Sequence, residues 1–127
     1  LRKVLPAGDP RMRSTVDRVA RELGVGGLLR RYLPIVDDGL PGAEGVFLLC
    51  SFWLVDCYAE MDRVEEARAL FERLLAYAND VGLYAEELDP RTGHHLGNFP
   101  QGFTHVALIN AATNLAKAEA RRSSAGR

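Results

Sequence analysis

The chain has 127 residues, enough for one modest domain with a packed core, and its 47% hydrophobic and 26% charged content argues against disorder. The net charge of −1 gives no electrostatic reason to expect a nucleic-acid partner. The longest apolar run, Val46 to Val55, stops at Asp56 and is too short to cross a bilayer, so no membrane partner is expected either.

The first predicted helix starts at Asp9-Pro10, an N-cap followed by a proline in the first turn. Met12, Val16, Val19, Ala20 and Leu23 recur at helical spacing, and Gly24, Gly26 and Gly27 end the pattern. Arg11, Arg13, Arg18, Arg21, Arg30 and Arg31 make this stretch basic. On an amphipathic helix that pattern reads as a solvated face. Residues 28–45 read as irregular, with Pro34, Pro41 and several glycines.

Val46 to Met61 is a second predicted helix, apolar nearly all round and therefore expected to be buried. It carries Cys50 and Cys57. Two helical turns apart, they lie roughly 10 Å from each other, too far for a disulfide. Free thiols suit a reducing cytoplasm. Leu1 in first place, with no charged segment and apolar signal core, reads as a cut edge within something larger.

Asp62 with Glu65 reads as a capping box opening a third helix. Ala67, Leu70, Phe71, Leu74, Leu75 and Ala78 form its apolar stripe. Residues 80–99 read as a long loop rich in Gly, Asp and His, and loops of that length are usually functional or disordered. A fourth helix, nearly apolar until Lys117, begins near Asn98-Phe99-Pro100. Arg121 to Arg127 reads as a frayed tail, leaving 1–120 as the domain.

Amphipathic and buried helices thus alternate, and a loop leads into each buried one. An α/α barrel or toroid is built this way, and so is a helical solenoid. If successive helices are antiparallel, both lead-in loops share one end. Glu44 and Glu86 lie in those loops and are expected near a common cleft.

Glu86-Glu87 is an adjacent carboxylate pair. Such pairs are ordinarily solvated charge, but this one stands in a long loop just before an apolar helix. Inverting glycoside hydrolysis uses two carboxyl groups about 6.5–9.5 Å apart, one of which deprotonates water. Glu44 has small neighbours, Ala43 and Gly45, which admit a close ligand or merely shape a turn. His94 and His95 are adjacent and have no third ligand at zinc spacing, so neither metal nor cofactor is expected. His105 reads as a buried hydrogen-bonded histidine or a partner for a sugar hydroxyl. Tyr84 and Phe99, placed in loops, are the aromatic rings suited to stacking on a sugar. Arg31, followed by Tyr32, offers several donors to hydroxyl groups.

Three stretches together carry a resemblance. They are Gly39-Leu40-Pro41-Gly42-Ala43-Glu44-Gly45 with the apolar run to Trp53, Asn79 to Glu87, and Leu96 to His105. They resemble the late part of bacterial proteins of glycoside hydrolase family 15, which includes glucoamylases, glucodextranases and trehalases. The resemblance runs from about Asp9 to Leu115. It implies an all-α fold of outer and inner helical hairpins forming part of an (α/α)6 barrel, a six-hairpin toroid. It implies an inverting hydrolase of α-glucosidic bonds, acting on trehalose or maltodextrin-type substrates.

In that family the general base is the first glutamate of a Gly-Leu-x-x-Glu-Glu or Glu-Gln motif. Gly82-Leu83-Tyr84-Ala85-Glu86-Glu87 matches it, and the resemblance implies that Glu86 is the catalytic base. The resemblance makes Arg31 a sugar contact, and Glu44, Glu87 and His105 are the further substrate-binding candidates. The family's general acid lies upstream on an earlier loop, and no segment here matches it. The chain alone is therefore expected to be inactive. The competing reading is a non-catalytic helical-repeat module that binds protein. Val64 to Phe71 resembles one helix of such a repeat, but no period of about 34 residues recurs.

Overall fold

The computed structural model of the chain describes residues 4–33 and 44–126. Gly39 to Ala43, the first part of the glycine-rich stretch before Glu44, lie outside the described residues. Among the described residues the fold is mostly helical, with four helices and two small antiparallel sheets.

Helix α1, Pro10–Glu22, opens as its sequence dictates. Asp9 caps it by accepting the Arg11 N–H at 2.9 Å, and Pro10 occupies the first turn. Val16 is its buried residue, so α1 is a surface helix. Strands β1, Gly24–Val25, and β2, Leu28–Leu29, then pair as a hairpin where irregular chain was expected. Gly26 and Gly27 form its two-residue turn, both with positive φ (56° and 84°). Primed turns match the strand twist at that loop length, and two left-handed residues in succession are what the type I′ form demands.

Strand β3, Val46–Phe47, leads directly into α2, Leu48–Glu60. This central helix buries Leu48, Ser51, Phe52, Leu54, Val55, Asp56 and Ala59 and packs against the two helices that follow it. Fully burying a side chain such as Leu48 or Phe52 is worth about 1.5–3 kcal/mol. Ser51 ties the first hairpin to α2: its hydroxyl accepts the Leu29 N–H at 3.0 Å and donates to the Phe47 carbonyl at 3.2 Å.

Helix α3, Val64–Leu75, follows a tight turn. The expected capping box is absent. Asp62 sits in the left-handed region at φ 60°, and Arg63 holds the N-cap position without a side-chain capping hydrogen bond. A short polar side chain tolerates that backbone, which closes the α2–α3 turn. Arg63 forks onto Glu66 at 2.6 and 2.7 Å and reaches Asp17 of α1 at 2.6 Å. Val64, Ala67, Leu70 and Leu74 face inward at helical spacing.

The long loop is more ordered than its composition suggests. Strands β4, Glu87–Leu88, and β5, His95–Leu96, extend β3 into a three-stranded sheet of order β3-β4-β5. Val46 pairs with Leu88 and Phe47 with Glu87. The Asp89 carboxylate accepts the Arg91 N–H at 2.8 Å inside the β4–β5 turn.

Helix α4, Gly102–Ala125, has 24 residues and is roughly 36 Å long. It continues through the stretch expected to fray, where Arg122 reaches Glu65 of α3 at 3.1 Å. Thr104, Ala107, Ala111, Leu115 and Ala118 line its buried face, and the small residues allow close approach to α2. On the opposite face Phe103, Val106 and Ile109 are exposed. Among the described residues, no helix is long and apolar enough to cross a membrane.

Candidate active site

The three-stranded sheet stands at the N-terminal ends of α2 and α4, because β3 runs into α2 and the β4–β5 segment precedes α4. The two lead-in segments therefore meet. The Leu48 N–H at the start of α2 donates to the Glu86 carbonyl at 3.1 Å. The Gln101 N–H just before α4 donates to the Tyr84 carbonyl at 2.9 Å.

Glu86 lies at the bend just before β4 and Glu87 is the first residue of that strand, and the two side chains find different partners. Glu87 turns toward β3, where its Oε2 accepts the Gly45 N–H at 3.3 Å. Gly45 has to be small. A Cβ there would stand 2.8 Å from the Leu88 carbonyl oxygen and 3.1 Å from Glu87 Oε2. Burial pushes the Glu87 carboxyl above the usual carboxylate range, and the neighbouring Glu44 charge acts the same way. The Gly45 N–H and the Arg31 guanidinium pull in the other direction without cancelling the rise.

Arg31, Tyr32 and Glu44 complete this cluster. Arg31 donates to the Tyr32 hydroxyl at 3.0 Å and pairs with Glu44 Oε1 at 3.3 Å. The Tyr32 hydroxyl donates to Glu44 Oε2 at 3.4 Å. The guanidinium also lies over the Phe47 ring, 5.1 Å from its centre. Half-exposed carboxylates beside a guanidinium and a phenol offer both acceptors and donors, the equipment for holding hydroxyl groups.

Glu86 has different company. Its Oε2 accepts the Asn98 N–H at 3.3 Å and Asn98 Nδ2 at 2.9 Å, and its own N–H donates to the Asn98 carbonyl at 2.9 Å. Gly97, at φ 71°, backs the carboxylate: a Cβ there would come within 3.0 Å of Oε2. Glu44 thus keeps company with Glu87, while the Glu86 carboxylate is held by Asn98, near enough for its charge to act on Glu87.

Two expected sugar contacts take structural positions. Tyr84 is only 1% exposed, so its ring is unavailable for stacking on a sugar. It meets Phe52 edge-on at 5.7 Å, and its hydroxyl donates to the Leu74 carbonyl at 3.2 Å. His105 has both ring nitrogens on main chain: Nδ1 donates to the Gln101 carbonyl at 2.7 Å and Nε2 accepts the Tyr84 N–H at 3.3 Å. It pins the Tyr84–Glu87 segment to the first turn of α4, with Thr104, whose hydroxyl donates to the Ala85 carbonyl at 3.1 Å. Phe99 remains accessible and lies 5.7 Å from His95, ring to ring.

The family model for glycosyl hydrolases family 15 matches residues 2–113, most of the chain. The chain belongs to glycosyl hydrolases family 15. A protein named Trehalase from Mycolicibacterium smegmatis is 53% identical over 127 residues, which are 99% of this chain and 19% of the relative. Another Trehalase, from Thermoplasma acidophilum, is 45% identical over 121 residues, 94% of this chain and 20% of the relative. Trehalase 1 of Sulfolobus acidocaldarius is 32% identical over 103 residues, 81% of this chain and 18% of the relative. The chain spans about a fifth of the length of these curated relatives. No solved structure matches it.

Within this family-15 segment, sequence reasoning missed Gly97 and Asn98 as parts of the site, and it read Gly45 only as a small neighbour of Glu44. Gly97-Asn98 lies within one of the stretches that carried the resemblance, but only strand pairing brings residue 98 to residue 86.

Proposed function

We propose that this chain works as one part of a longer inverting glycoside hydrolase that cleaves α-glucosidic bonds, with trehalose the first substrate to test. Family membership and relatives named Trehalase support this reading. The observation that carries it is a carboxylate held rigidly where the approaches to two helices meet. On this reading α2 and α4 are inner helices of an (α/α)6 barrel, and the sheet lies at its mouth. The free thiols Cys50 and Cys57, both made less acidic by burial, support a reducing compartment such as the cytoplasm.

Glu86 acts as general base. It takes a proton from water as the water oxygen bonds to the anomeric carbon and the glycosidic C–O bond breaks. A carboxylic acid from another segment of the longer enzyme protonates the departing oxygen. Arg31, Glu44 and Glu87 hold sugar hydroxyls, and the raised Glu87 carboxyl suits either partner of such a bond. His105 contributes through the segment it pins.

Glu86→Gln in the longer enzyme keeps the shape and removes the base. Its kcat on trehalose should fall by about 10²–10⁴-fold with KM little changed. Near-normal turnover would sink the assignment. Calorimetric titration of the same variant with trehalose and with maltose then identifies the preferred linkage.

A further inference from the structure

Asn98 makes three hydrogen bonds to Glu86, and only one of them uses its side chain. Of the other two, one joins main chain to main chain and one runs from the Asn98 N–H to the carboxylate. The amide adds a donor aimed at one oxygen of the carboxylate, at 2.9 Å. Both donors fall on Oε2, and Gly97 leaves that oxygen the space that a Cβ, 3.0 Å from it, would crowd. The terminal torsion of a glutamate has only a broad, roughly two-fold preference of its own. Two donors on one oxygen remove that freedom and fix where the other oxygen points.

A general base depends on this. Its accepting oxygen must lie within about 2.6–3.2 Å of the water it deprotonates. A misplacement of about 1 Å costs on the order of 10²-fold in rate. We propose that Asn98 is the positioning residue for the catalytic base: its amide anchors Glu86 Oε2 so that Oε1 is presented to the attacking water. The proposal rests on the reading of Glu86 as that base. Asn98 is exposed, so truncating it removes no core packing.

The test is Asn98→Ala in the longer enzyme, assayed on trehalose with and without sodium azide, with thermal unfolding measured alongside. The expected result is a kcat lower by about 10- to 100-fold, KM within about threefold, and an unchanged unfolding temperature. Azide should restore part of the turnover. It is already an anion, so it attacks the anomeric carbon without giving up a proton; a C–N bond forms as the glycosidic C–O bond breaks, and β-glucosyl azide accumulates. Asn98→Asp, which replaces the donor with a second negative charge, should lose more activity than the alanine variant.

An unchanged kcat in Asn98→Ala would overturn the proposal. So would a loss that azide does not restore and that accompanies a lower unfolding temperature, because that pattern belongs to a structural contact. Glu86→Gln in the same assay separates the two levels. If it turns over normally, the reading of Glu86 falls and the role of Asn98 falls with it. If it is impaired and rescued by azide while Asn98→Ala is normal, only the role of Asn98 falls.

Discussion

Asp56 is an acid on the buried side of α2, and Asn114 of α4 donates to it at 3.0 Å. Burial pushes its carboxyl above the usual range, and the bond from Asn114 only partly offsets this. Folding therefore favours the protonated form. The stability that Asp56 contributes is present below the unfolded carboxylate pKa and is lost as pH rises through the raised folded value. Asp56→Asn keeps an oxygen for Asn114 and removes the charge. It should raise the thermal unfolding temperature at pH 7 and change it little at pH 4. Asn114→Ala does the reverse, leaving a buried carboxylate without its donor at a cost of about 1–3 kcal/mol at pH 7 that shrinks in acid. Unfolding curves of the two variants at both pH values check the sign; a pH-independent difference would contradict it. The sequence shows Asp56 only as the end of an apolar run. Its partner lies 58 positions away, and no local spacing points to it. Asn98 was hidden from a local reading for the same reason.

At the scale of elements, the helices were legible because each carries its own signal. Asp9-Pro10 marks the start of α1, and the inward stripe of α3 repeats at helical period. The strands were not, since each has two residues and alternation needs about four or more. The first hairpin is an exception: Gly26-Gly27 between Val25 and Leu28 is a two-residue turn signal that a reading of glycines as helix terminators passed over. Asp62 misled in the opposite sense, since a capping box and a left-handed turn residue look alike until the backbone is known. Gly45 shows how tightly β3 and β4 meet. A methyl group there would collide with main chain at the Leu88 carbonyl, which cannot swing aside as a side chain would. Gly45→Ala should cost about 1–3 kcal/mol in denaturant unfolding and, in the longer enzyme, raise KM by displacing Glu87. Wild-type stability together with wild-type KM would show that the strands part freely.

Over the whole molecule, the face of α4 that carries Phe103, Val106 and Ile109 is 73%, 56% and 63% exposed at those residues, spaced at one helical turn. Periodicity revealed that this helix is apolar on nearly every side, but not whether these residues also supply its cover. An apolar stripe in water favours contact with another molecule. The isolated chain should therefore self-associate in light scattering as its concentration rises, and Val106→Lys with Ile109→Lys should return it to a monomer. A monomeric wild type at all concentrations would contradict this. The β3-β4-β5 sheet carries a consequence of another kind. Glu44 leads into β3, while Glu86 leads into β4 and Glu87 starts it, and the ladder between those strands is made of main-chain bonds common to any side chain. The acids are thus bolted to one small chassis rather than each to its own helix. Any tilt of α2 against α4 would therefore carry the acids together, with their mutual spacing set by the sheet.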